Sequence, residues 1–278
     1  MKKISILAIC ISSFFFACQK EASKTVVVEN NTPSVPEVFT KKVLLEEFTG
    51  EWCVNCPDGA SILHGITEKY PTKLIAAAIH QGDWLQIAQL TQLSTHLGGV
   101  AGYPRAAINR VPAAGTSNGQ DGMVVYSRGN WETNAVRLMD AENQKTAKIG
   151  LGIESSITDN LLSLKVHTGF KTTDSRDTRL TVYLVEDSVQ AQSQTGATTN
   201  PYFHQHVLRK VLSGPLGDSI QLNTGSYVLK TYDKIDISAY KQANLKIIAF
   251  INVIGSSSTS HEVINVQEAI AGKSQLFD

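Results

Sequence analysis

Cysteine is scarce in this 278-residue chain: there are four, and Cys10 and Cys18 both fall within the first eighteen residues. A disulfide-rich scaffold is thereby excluded, because past residue 18 a single pair remains, Cys53 and Cys56. A surplus of charge is missing too, with 25 Lys and Arg against 25 Asp and Glu. That balance implies no basic surface for nucleic acid. Nor does any later segment approach the roughly 20 consecutive apolar residues that a membrane-spanning helix requires.

What is present begins with an address. Lys2 and Lys3 precede an apolar stretch from Ile4 to Ala17, too short to span a bilayer but suited to the core of a secretory signal covering residues 1–17. Phe15-Phe16-Ala17-Cys18 resembles a bacterial lipobox, in which Cys18 is lipidated and becomes the first mature residue. Ordinary signal cleavage is the alternative. Loss of Lys2 and Lys3 leaves 23 basic residues against 25 acidic ones, a net charge of −2. Residues 18–38 are polar and proline-containing, with few bulky apolar side chains apart from Val26-Val27-Val28, and read as a flexible tether.

The run Glu47-Phe-Thr-Gly-Glu-Trp-Cys53-Val-Asn-Cys56-Pro57 carries the chemistry. It follows the apolar segment Val43-Leu44-Leu45, so a strand leads into two cysteines at an expected helix start. A helix N-terminus presents unpaired N–H groups and the positive end of the helix dipole, both of which favour a thiolate. Cys53 is the expected nucleophile, and Cys56, one turn on, is placed to resolve a mixed disulfide. Pro57 is tolerated in a first turn, where its missing N–H would have had no partner. A structural disulfide and half of a metal site are the competing readings of the same spacing. No metal ion and no cofactor beyond the two sulfurs is called for.

Residues 39–145 read as alternating strand and helix. Ala60, Leu63, Ile66 and Tyr70 recur at helical spacing until Pro71, and Leu74–Ile79 is continuously apolar, as in a doubly covered parallel strand. Asp83 is expected to cap a helix carrying Ile87, Leu90, Leu93 and Leu97, which Gly98-Gly99 ends. Pro104 opens a further strand, and its position suggests a cis Tyr103–Pro104 bond beside the sulfurs, against a trans proline at a sheet edge. Trp131, Ala135, Leu138 and Met139 form a closing helix.

This order, with Trp52-Cys53-Val54-Asn55-Cys56 and a later proline-led strand, resembles the thioredoxin fold. The resemblance implies that Cys53 and Cys56 are redox-active, that Pro104 is the cis-proline, and that Trp52, Tyr103 and Pro104 flank the substrate. It also puts Glu47 where a buried carboxylate serves the resolving cysteine. In a strand, residues 43, 45 and 47 share a face, so Glu47 lies with Val43 and Leu45, where burial would raise its pKa. A half-exposed surface acid is the rival reading. Val54-Asn55 matches none of the well-known pairs between such cysteines, so the direction of electron flow is not readable.

From residue 146 to 278 the pattern changes to about seven Val-, Ile-, Leu- and Thr-rich strands separated by turns, which suits an immunoglobulin-like β-sandwich. Asp159-Asn160 is expected to close a hairpin. His204 and His206 sit two apart in one expected strand, Tyr202 to Leu212, and so face one side, for packing or, with a third ligand, for a metal. The aromatic and polar run from Tyr202 to Arg209 is expected to face the first domain or a ligand. Together with the lipobox, the whole chain resembles the outer-membrane lipoprotein family named for its twenty-eight-kilodalton outer membrane protein. The residues that carry this are Glu46-Glu47-Phe48-Thr49-Gly50 before Trp52-Cys53, and His204-x-His206-Val207-Leu208-Arg209. The expectation is therefore an exported, lipid-anchored thiol:disulfide oxidoreductase of the outer membrane acting on envelope or surface proteins with cysteines. The alternative is a surface binding or adhesion lipoprotein that uses the first domain as a scaffold.

Overall fold

Every residue from Val43 to Thr49 is buried, which a strand achieves only when both faces of its sheet are covered. The computed structural model, which describes residues 35–140, 146–225 and 227–278, shows what covers them. The elements begin with β1 (Phe39–Thr40), β2 (Val43–Thr49), α1 (Cys56–Lys69), β3 (Leu74–His80), α2 (Leu90–His96), β4 (Arg105–Ile108), β5 (Val125–Ser127) and α3 (Trp131–Asp140). Strands dominate thereafter: β6 (Thr146–Ala147), β7 (Ile149–Thr158), β8 (Leu161–Phe170), β9 (Asp174–Glu186), β10 (Val189–Gln190) and β11 (Phe203–His204). The last are β12 (Val207–Val211), β13 (Asp218–Leu222), β14 (Tyr227–Asp236), β15 (Leu245–Val253), β16 (Val263–Ile270) and β17 (Ser274–Gln275). The signal segment, Cys18 and most of the expected tether lie outside the described residues, as does Lys145 at the expected end of the first domain.

One sheet runs through both halves of the chain. Its order is β16-β15-β9-β12-β3-β2-β4-β5, with β13 also paired to β9. β2 and β3 are parallel and joined through α1, while β4 is antiparallel to β2. The halves meet at the parallel pair of β3 and β12, where Val207 lies opposite Ala78 and the Ala78 N–H donates to the His206 carbonyl at 2.7 Å. A second sheet of order β14-β8-β7-β17 lies in the second half. A mixed α/β first half thus continues into a largely β second half.

Side-chain alternation explains why the sheet can be buried on both faces. Leu180, Val182 and Leu184 of β9, with Ile247, Ala249 and Ile251 of β15, pack against the second sheet. Tyr183, Val185, Ile248 and Phe250 point the other way, into a core shared with Leu44, Phe48, Ala77 and Ile79. A third core gathers Val43 and Leu45 with Leu63 and Ile66 of α1 and Trp131, Ala135, Leu138 and Met139 of the closing helix.

Three local expectations change. The helix expected from Asp83 is shorter, because the Asp83 carboxylate accepts hydrogen bonds from Leu85 N–H and Glu51 N–H and contacts His80 Nδ1, so residues 83–89 turn and α2 begins at Leu90. The segment 202–212 is two strands, since His206 takes φ 57° and its N–H donates to Asp187 Oδ1. His204 and His206 therefore do not share a strand face. β13 was not expected at all. The hairpin at Asp159-Asn160 forms as expected: both residues have positive φ, 50° and 62°, and Thr158 pairs with Leu161.

The central core also contains a buried charge pair. Arg110 donates to both Glu46 oxygens at 2.7 Å, and the Tyr183 hydroxyl adds a 2.9 Å bond to Glu46 Oε1. The Arg110 and Glu46 side chains are each 1% exposed. Removing one partner from such a pair strands the other charge, so Arg110→Ala is expected to cost about 3–5 kcal/mol in urea unfolding. The double replacement Glu46→Leu with Arg110→Met is expected to cost less than either single change.

Candidate functional site

After β2 the chain turns tightly at Gly50. Cys53 N–H donates to the Gly50 carbonyl at 3.1 Å and Cys56 N–H to the Cys53 carbonyl at 3.2 Å. Helix α1 starts at Cys56, with Asn55 as its cap residue and Pro57 in the first turn. Cys53 thus sits in the turn just ahead of the helix, and its sulfur is bonded to that of Cys56. Trp52 and Val54 stand out at 50% and 61% exposure, whereas the cysteines are at 5% and 2%. The Trp52 indole donates to the Gln81 carbonyl at 2.7 Å and packs edge-on against Tyr103, with ring centroids 5.2 Å apart.

Two of the expected site residues, Pro104 and Glu47, converge on α1 one turn after Cys56. The Tyr103–Pro104 bond is cis. A Cβ placed on Gly59, in the second turn of α1, would lie 2.7 Å from Pro104 Cγ and 3.1 Å from Glu47 Oε1. Glycine is what lets the helix settle onto both groups. Glu47 is buried, its Oε1 has no hydrogen-bond partner, and burial pushes its acid up to about 8. Its sequence neighbour Glu46 projects to the opposite face, toward Arg110.

Residues from the second half complete the site. Glu51 is buried, and its carboxylate accepts from the N–H groups of Gln192 and Ser193 at 2.9 and 3.2 Å and from the Trp84 indole at 3.1 Å. Behind Cys56 lies a cleft of about 280 Å³ lined by Glu47, Cys56, Pro57, His80, Tyr202 and His204. The His80 and His204 rings meet edge to face at 4.6 Å. His80 Nδ1 is 2.7 Å from Asp83 Oδ2; burial pulls the Asp83 acid up, but the hydrogen bonds from His80 and from the Glu51 and Leu85 N–H groups hold it below its ordinary value. Burial, reinforced by His80, lowers His204 to about 4, leaving it neutral at pH 7. His206 instead lies 3.5 Å from Asp187, so the two histidines serve different surroundings. Among the described residues, no three His, Cys, Asp or Glu side chains are grouped to hold a metal ion.

Cys53, Cys56, Glu47, Trp52, Tyr103 and Pro104 were all candidates from the sequence; Glu51 and His80 were not. Glu51 lies inside the motif, but its Gln192 and Ser193 partners are about 140 residues away in sequence, beyond the reach of any local pattern.

The class defined by this architecture is a mixed α/β half fused by a common sheet to a largely β half, with one disulfide at the start of the first helix. The Outer membrane protein Omp28 family matches over residues 92–275. The chain belongs to this family, which places it at the outer membrane. Cys53 and Cys56 lie ahead of the matched segment. No curated protein matches the chain. Among solved structures it is similar to HBP35 of Porphyromonas gingivalis, at 19% identity and TM-score 0.71 over 84% of this chain and 76% of that one. A protein of Agrobacterium tumefaciens aligns at 13% identity and TM-score 0.57, over 85% and 97% of the two chains. A domain of the outer membrane lipoprotein Omp28 from Porphyromonas gingivalis aligns at 22% identity and TM-score 0.31, over 45% and 89%. No helix among the described residues is long and apolar enough to cross a membrane.

Two measurements follow from the packing under the disulfide. Gly65, on the same helix, has open space where a Cβ would go. Gly65→Ala is expected to stabilise by about 0.5–1 kcal/mol while Gly59→Ala destabilises, and paired thermal melts compare them. Between the ordinary carboxylate range and about pH 8, folded Glu47 keeps a proton that the unfolded chain has lost, so stability falls as pH rises through that window. Glu47→Gln removes this loss. Its urea midpoint should therefore gain on the wild type above pH ~8 relative to its standing below pH ~5.

Proposed function

We propose that this chain is a thiol:disulfide oxidoreductase of the outer membrane, held there by a lipid on Cys18. On this reading residues 39–145 are a thioredoxin-like unit and residues 146–278 an immunoglobulin-like sandwich that positions it. The observation that carries the reading is the Cys53–Cys56 disulfide at the start of α1, with a buried carboxyl lining the same cleft as Cys56, its acid pushed up to about 8.

In the reduced protein, the Cys53 thiolate attacks a substrate disulfide, forming a Cys53–substrate bond and releasing one substrate sulfur as thiolate. The ionised form of Glu47, a minor fraction below pH 8, takes the proton from the Cys56 thiol, and the resulting thiolate attacks Cys53 Sγ. This closes the Cys53–Cys56 bond and releases the second substrate thiolate, which takes up a proton. The reverse sequence oxidises a substrate dithiol. An acid near the working pH suits a group that must both accept and return the proton. Trp52, Tyr103 and Pro104 border the disulfide where a substrate chain would lie, and the partners on this reading are envelope or surface proteins with cysteines.

The second reading, a surface binding or adhesion protein in which the disulfide is a staple, is favoured by the low exposure of both cysteine residues, 5% and 2%. Equilibration of the full chain with thiol–disulfide buffers separates the two. A catalytic pair is expected between about −270 and −120 mV, whereas a value below about −300 mV marks a staple and ends the oxidoreductase reading. Cys56→Ser should, in addition, accumulate mixed disulfides through Cys53 with envelope proteins.

A further inference from the structure

The second half lays a loop directly on the cysteine motif. Residues 191–202 leave β10 and return to β11, and the loop is closed at its base by the Ala191 N–H bonded to the Tyr202 carbonyl at 2.9 Å. Its tip follows the backbone on either side of Cys53. Thr195 N–H donates to the Glu51 carbonyl at 2.7 Å, and Gln194 Nε2 donates to the Cys53 carbonyl at 3.2 Å. Gly196, at φ 78°, comes so close that a Cβ there would lie 2.2 Å from the Val54 carbonyl oxygen. Below the tip, the Glu51 carboxylate holds the loop through Gln192 and Ser193 N–H.

The loop thus occupies the backbone acceptors at positions 51 and 53, which a partner surface docking from that side would otherwise reach. It packs on the Val54 backbone, whose side chain stays exposed, and leaves Trp52, exposed and in edge contact with Tyr103, to border the way in. Because the anchoring bonds end on a buried carboxylate, they are of the stronger, charge-assisted kind. Holding the loop against the motif also keeps the surface next to Cys53 from meeting a broad partner face to face.

Resting on the oxidoreductase reading, we propose that residues 191–202 form a specificity wall, latched by Glu51, that admits disulfides carried on small molecules or extended segments and excludes those set in the surface of a folded protein. Glu51 is a positioning residue in this scheme and touches no reacting atom. The wall acts on access alone. It therefore changes which thiols react and leaves the potential of the pair where it is.

The test follows reduction of the full-length oxidised protein by two reagents, dithiothreitol and a reduced folded thioredoxin, with trapped thiols counted by mass. Gly196→Leu forces the loop off Val54 by size, and Glu51→Gln weakens the latch without adding bulk. Both variants are expected to react about tenfold or more faster with the folded protein while the dithiothreitol rate stays within about twofold of wild type. Selective acceleration in either folded variant supports the wall. Unchanged rates with the folded protein in both variants, with melting curves showing them folded, overturn it. Equal acceleration with both reagents overturns it as well, since a general loosening then accounts for the gain. The potential measured on the same samples reports on the oxidoreductase reading separately, so a structural potential with selective acceleration sinks that reading and not the wall.

Discussion

Burial of one sheet on both of its faces is the constraint from which the rest follows. β9 and β15 can bury alternate residues in opposite directions only because the first half of the chain, with β2 and β3, supplies the cover on one side and the second sheet supplies it on the other. The Glu46–Arg110 pair, capped by a hydroxyl 137 residues from Glu46, sits where those halves meet. A buried pair of this kind contributes little net stability and penalises any arrangement that separates its members. Both charges belong to the first half, so the pair fixes β2 against the turn after β4, and the Tyr183 hydroxyl ties that arrangement to β9.

Register matters because two adjacent glutamates on β2 have opposite duties. Glu46 turns to the core shared by both halves and stays ion-paired; Glu47 turns to the side of α1 and Pro104 and has no countercharge. A slip of one residue would exchange them, putting an unpaired acid between the halves and a salt-bridging one under the disulfide. The same registration brings β12 alongside β3, and with it the return of the 191–202 loop over Cys53. The chemistry proposed for the sulfurs thus depends on both halves even though both sulfurs belong to one.

Much of the first half was legible because its signals are short-range. The strand before the cysteines, Pro57 in the first turn, the spacing of Leu63 and Ile66, and the inward face of Glu47 all follow from periodicities of a few residues. Asp83 misled for a physical reason: an aspartate before an apolar stretch looks like a cap, yet here its carboxylate is taken by Glu51 N–H and His80. Segment 202–212 misled similarly, since nothing nearby announces that His206 turns into positive φ to meet Asp187. The role of Glu51 was invisible because Gln192 and Ser193 reach it from the second half of the chain. Nor does a largely apolar strand such as Leu245–Val253 reveal which two cores it separates.

Calorimetric unfolding of the oxidised full-length protein tests most directly whether the two halves share one core. The account predicts a single transition whose calorimetric and van't Hoff enthalpies agree. Two resolved transitions, one for each half, would contradict it.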